Sequence, residues 1–185
     1  MISSWGRRQT TEVLGLALAG LAFAGCGASS GTSEPALPGM SSAAASPALS
    51  FAFDSLDDRP VSAEATRGKP TVIAFVTTGS LPSQAEVDFL VSMAQHDGER
   101  APVNYALVAL DPWENRELVE LYRKALHVTF PVAMADDTVR SGAGPFGDVT
   151  IVPVTVVLDR VGRVVARVAG RVAKSEEIRA ALAGL

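Results

Sequence analysis

Sulfur and imidazole are scarce in this chain. Among 185 residues there is one cysteine, Cys26. One thiol excludes an intrachain disulfide, a Cys-x-x-Cys pair and any multi-cysteine metal centre. The two histidines, His96 and His127, are far apart, which argues against a histidine-based metal site. No metal and no cofactor is expected. A basic excess is also missing: 16 Lys+Arg stand against 20 Asp+Glu, a net charge of −4. That balance argues against a nucleic-acid binder, which shows a basic face or stripe, and against a polybasic membrane-surface protein. No apolar run reaches the ~20 residues that a bilayer core demands. The length suits one domain, with a core that buries about two thirds of the unfolded chain's surface.

What is present begins with an export signal over 1–25. Arg7 and Arg8 form a short basic start, and Val13 to Ala24 is an apolar run of 12 residues. That length suits a signal core better than a membrane span. Gln9, Thr10 and Thr11 follow the arginine pair where twin-arginine export would favour an apolar residue. Phe23-Ala24-Gly25-Cys26 resembles a bacterial lipobox, which implies cleavage before Cys26 and lipidation of its thiol. The alternative is a secreted protein with a stray cysteine. Residues 26–49, rich in Ser, Ala, Gly and Pro, read as the lipidated Cys and a flexible tether. As a free coil it reaches on the order of 25 Å.

Residues 50–185 read as one α/β domain. Thr71–Val76, Val103–Leu110 and Val154–Leu158 are continuous, β-branched apolar runs, as in strands covered on both faces. Between and after them, three segments carry apolar residues at i, i+3, i+4 and i+7: Val87/Leu90/Val91/Ala94, Leu118/Leu121/Tyr122/Ala125 and Ile178/Ala181/Leu182/Leu185. Each predicts a helix with one stripe laid on the sheet. Asp111 before Pro112, with Glu114 behind, predicts a capped helix start. Gly98 predicts a C-terminal cap, and Asp159–Gly162 a hairpin turn into an edge strand over 164–168. The pattern implies a three-layer α/β/α sandwich with a mixed sheet.

The ordered motifs resemble the TlpA/ResA-like thioredoxin-fold redoxin family over about residues 50–185. Gly68-Lys69-Pro70, the strand, and Phe75 to Glu86 (FVTTGSLPSQAE) match that family's active-site segment without a gap. Its two redox cysteines are replaced by Ser80 and Ser83, and the preceding Trp by Gly79. Phe51–Val61 is similar to its opening hairpin, Asp111-Pro112 and Phe130-Pro131-Val132 to its central βα insertion, and Ile151–Thr155 to the strand entry whose proline is cis. The resemblance implies a thioredoxin-like sandwich and an extended polypeptide client held at Pro153.

Thiol–disulfide exchange requires a thiolate, and a serine hydroxyl cannot replace it. Ser80 is expected as a helix N-cap, since no histidine stands near to activate it as a nucleophile. No catalytic residue is assigned. The expected binding groove comprises Gly79, Ser80, Ser83, Glu86, Val152 and Pro153. Glu86 is read as an acid favoured near a helix N-terminus or as a polar contact for a partner. Trp113 is expected to pack, and His96 and His127 to lie at helix ends. The expected function is a redox-inert domain on the bacterial cell envelope, tethered through Cys26, that binds an extracytoplasmic protein or peptide. The alternative is a thiol-disulfide oxidoreductase or peroxiredoxin-like redoxin, which the missing cysteines oppose. A copper chaperone would need the absent soft ligands.

Overall fold

In a computed structural model, residues 46–98 and 102–185 are described. The signal segment, Cys26 and most of the tether lie outside the described residues. Seven strands form one sheet: β1 (Ala52–Ser55), β2 (Val61–Ser62), β3 (Thr71–Val76), β4 (Asn104–Ala109), β5 (Val132–Met134), β6 (Val154–Leu158) and β7 (Val164–Ala169). Their order is β2-β1-β5-β4-β3-β6-β7. β3, β4 and β5 run parallel, whereas β1 joins β5, and β6 joins β3, antiparallel. The sheet is mixed and thioredoxin-like, as the motifs imply. No helix among the described residues is long and apolar enough to cross a membrane.

The central strand β3 is buried at all six positions, because helices or loops cover both faces. The two layers are unequal. One face carries α2 (Leu81–Asp97), α3 (Arg116–Ala125) and α5 (Ser175–Leu182), which bury Val87, Leu90, Val91, Val119 and Ile178 against Val72, Ala74 and Leu107. The short helix α1 (Ala63–Thr66) only links β2 to β3. The other face has one four-residue helix, α4 (Asp137–Arg140), and the loop behind it. Phenylalanine rings fill that gap. The Phe146 ring centroid lies 4.9 Å from Phe51 and 4.8 Å from Phe75, with Phe53 at 5.9 Å. Gly144 lets the loop close down, since a Cβ there would stand 2.5 Å from Val139 Cγ2.

Several boundaries match the sequence reading. Gly98 ends α2 at φ 72°, its N–H donating to Ala94 O at 3.0 Å. The Asp159 carboxylate accepts from the N–H groups of Val161 and Arg163 in the β6–β7 turn. His127 sits at positive φ behind α3, and His96 lies in the last turn of α2.

Four expectations change. Trp113, expected to pack, is 53 % exposed. Leu49, assigned to the tether, is half-buried, and its N–H donates to Gly162 O at 2.8 Å. The domain's contacts therefore begin within the stretch read as linker. The second helix turns a different row inward. Val119 is 1 % exposed, while Leu118 and Leu121 are 49 % and 63 % exposed, and Ala125 is exposed too. Leu118/Leu121/Ala125 and Val119/Tyr122/Leu126 are adjacent rows of one wide apolar arc, and periodicity cannot choose between neighbours. Finally, Asp111 does not cap its own helix. Trp113–Asn115 is a 3-10 turn without a side-chain cap, and the Asp111 carboxylate turns elsewhere.

Candidate functional site

The strand register brings two loops together. Phe75 on β3 pairs with Val154 on β6, so the turn after β3 (77–80) lies beside the loop before β6 (151–153). The Val152–Pro153 peptide is cis.

The turn's polar groups are tied inward. Ser80 is the N-cap of α2, and its Oγ accepts from Ser83 N–H at 3.2 Å. Ser83, fully buried, offers its Oγ to Thr77 N–H at 3.3 Å. Thr78 donates twice to Asp111, from its N–H at 3.0 Å and from its hydroxyl at 2.6 Å. Pro82 at the second helical position has no N–H to leave unsatisfied.

Below the turn lies Glu86, 0 % exposed. Thr155 Oγ1 lies 2.5 Å from one carboxyl oxygen, and Ala173 N–H donates to the other at 2.7 Å. Burial pushes the carboxyl above its ordinary range, and the bonds from Thr155 and Ala173 only partly oppose this. Thr155 donates its hydroxyl to one carboxyl oxygen and Ala173 its N–H to the other, so both oxygens are engaged. Glu86 thus pins α2 to β6 and to the segment before α5.

The loop before β6 is different. Pro153 O accepts from Gly170 N–H at 2.9 Å, whereas Val152 N–H and C=O have no hydrogen-bond partner among the described residues. Val152 is half-buried. Two large apolar side chains lie in or beside these loops in sequence and are exposed. Leu81 is 79 % exposed and Ile151 68 %. Gly79 leaves the mouth open: its φ is not positive, and nothing lies within 4 Å of where a Cβ would stand. The fold does not demand glycine there.

No family model matches the chain, and no curated protein matches it by sequence. Solved structures do. A thio-disulfide isomerase from Thermus thermophilus is 30 % identical, with 80 % of this chain and 95 % of that chain covered and a TM-score of 0.58. The chain belongs to the thioredoxin-fold family of disulfide oxidoreductases. A DsbF homologue from Corynebacterium diphtheriae (21 % identity, 75 % of this chain and 86 % of that one, TM-score 0.58) shares the fold. So does a secreted Mycobacterium tuberculosis disulfide oxidoreductase homologous to E. coli DsbE (18 % identity, 74 % and 97 %, TM-score 0.57).

As a thioredoxin-fold protein, this chain has a single cysteine, Cys26, which precedes the domain, and carries Ser80 and Ser83 at the head of α2. Of the six residues assigned to the groove, Gly79, Ser80 and Val152 reach the surface. Ser83, Glu86 and Pro153 are buried, so none of the three presents a side chain to a partner as the sequence reading expected. Ser80 is the N-cap expected of it. Four contributors were missed. Leu81 and Ile151 sit inside the quoted motifs, but exposure of an apolar side chain leaves no mark in a sequence. Asp111 carried a capping pattern that pointed to the wrong amides. Thr155 read only as one more residue of a buried strand.

Proposed function

We propose that this is a redox-inert, lipid-anchored thioredoxin-fold domain of the bacterial cell envelope that holds an extended polypeptide in the former client groove. One observation carries the reading. The Ser80 and Ser83 oxygens are engaged in the turn's own hydrogen bonds, while the backbone of Val152 is left open. An unpaired N–H and C=O on one residue suit a strand added alongside, because main-chain bonds supply affinity whatever the sequence. Leu81 and Ile151 would favour apolar side chains on that strand, and Gly79 leaves room for its backbone. The envelope location is supported by the lipobox-like segment at 23–26 and by the secreted M. tuberculosis neighbour.

Disulfide exchange by the domain itself would need a thiol lent by a partner, and no observation favours that. The test is Ser80→Cys in the otherwise unchanged lipoprotein. With serine at position 83 there is no resolving thiol, so a client disulfide attacked by Cys at 80 stays trapped. A discrete, reducible adduct on non-reducing gels of envelope extracts, lost when Ile151→Asp places a charge beside Val152, is the expected result. Disulfide reductase activity of the unmutated protein would overturn redox inertness. A reactive thiol at 80 that forms no adduct removes disulfide-bearing clients. Photocrosslinking from position 81 then decides for any other peptide, and its failure would overturn groove binding.

A further inference from the structure

The chain's net charge of −4 conceals a basic end. Arg67 and Lys69 lie on the turn before β3, and Arg160 and Arg163 on the β6–β7 hairpin; all four are exposed. Gly68 N–H donates to Arg160 O at 2.8 Å, which fastens the two turns to each other. None of the four cations forms an ion pair within the described residues. Asp159, the acid of the hairpin, turns its carboxylate onto the hairpin's own amides at 2.9 and 2.8 Å. Glu64, on α1, is the other acid close by in sequence. Arg160 Nη2 reaches only the main-chain oxygen of Leu185, at 3.4 Å. At the hairpin tip, between the two arginines, Val161 is 51 % exposed.

The chain enters the fold at this same end. Leu49 bonds to Gly162 on the hairpin, and Ser46, Pro47 and Ala48 before it are exposed. The groove is at the other end. β3 starts opposite Leu158, beside the hairpin, and reaches the groove at Val76, a run of about 20 Å at the usual strand rise.

We propose that this end docks on an anionic phospholipid bilayer, with Arg67, Lys69, Arg160 and Arg163 against headgroup phosphates and Val161 in the interfacial layer. The proposal rests on the lipid-anchored reading above. Each cation near an anionic surface strengthens binding about fivefold, too little alone to hold a soluble acidic protein. A short tether makes such weak contact effective, because it keeps the surface at high local concentration. Docked this way, the domain turns its groove away from the membrane.

The test uses the full lipidated protein in vesicles of phosphatidylcholine, with or without about 30 % phosphatidylglycerol to supply the anionic surface. An environment-sensitive fluorophore is placed through Val161→Cys or, as the far-end reference, Leu81→Cys. Expected is quenching by headgroup-labelled lipid at 161 but not at 81, present only with phosphatidylglycerol and lost in high salt. The triple variant Arg67→Gln/Arg160→Gln/Arg163→Gln should weaken docking about a hundredfold, while the corresponding lysine triple retains it. Equal quenching on neutral and anionic vesicles, or no effect of the glutamine triple in a protein with unchanged circular dichroism, overturns the proposal. Mass spectrometry of Cys26 separates the two readings. If Cys26 carries no lipid, the anchor reading fails. Coupling Cys26 to a maleimide-headed lipid then restores a tether, and a fluorescent amino acid built in at position 161 decides for the basic end: quenching on anionic vesicles that is lost in the glutamine triple supports it, and no quenching overturns it.

Discussion

The two walls of the groove treat their polar groups in opposite ways. On the α2 side, the N–H groups of Thr77, Thr78 and Ser83 each have a side-chain oxygen. On the β6 side, Val152 keeps both main-chain groups unpaired among the described residues, with the exposed Ile151 beside it. A satisfied turn is scaffold, because altering it leaves buried donors stranded. An unsatisfied loop has capacity left for something else. Substitutions on the first wall should therefore act on stability, and substitutions on the second on binding.

The largest effect is expected at Asp111. Asp111→Ala strands both Thr78 donors beside a buried strand end and should lower stability by about 3 kcal/mol, read as a shift in urea midpoint at constant slope. Ser83→Ala should remove about 1–2 kcal/mol, since it leaves Thr77 N–H buried without an acceptor. If either variant unfolds no more easily than the parent, the turn is not scaffold and the comparison fails.

Glu86 offers a sharper probe, because it ties the two walls together. Burial holds its carboxyl above the ordinary value of 4.5. As pH rises past that value the unfolded chain gives up the proton first, so the folded state loses stability until its own, higher pKa is passed; the loss then levels off. Glu86→Gln removes the titrating group, while its carbonyl can accept from Ala173 and its amide can donate to the Thr155 oxygen. Urea midpoints measured across mildly acidic to neutral pH should show a decline in the parent that the variant lacks.

Smallest in stability, and largest in contrast, is the open wall. Ile151→Asp alters an exposed side chain and should move stability by no more than about 0.5 kcal/mol. It should nevertheless abolish adduct formation by the Ser80→Cys protein. Loss of stability with capture intact would reverse the roles assigned to the two walls.

The fold was legible because several weak signals agreed in order and spacing. Gly68-Lys69-Pro70, the run from Phe75 to Glu86, Pro153 and Asp159–Gly162 each fix a local geometry, and their sequence admits few topologies. The site was legible only in outline. Position along the chain identifies what surrounds the groove, but depth decides what lines it. Ser83 and Glu86 share a helix face with Leu90, which is also buried, and at that spacing they turn inward with it. Leu118 and Val119 show the same limit: adjacent apolar residues differ in fate because only Val119 faces the core cluster. Asp111 failed for another reason, since local capping competes with any tertiary amide within reach.

The ring cluster on the thinner face also bears on how the chain acquires its structure. Phe53 lies on the first strand and Phe51 just before it, yet Phe146, which touches both, comes from the last third of the sequence. β1 likewise pairs with β5, well downstream. Closing such long-range contacts is slow, since the loop entropy must be met before any contact rewards it. A chain emerging N-terminus first cannot complete this face until residue 146 has followed.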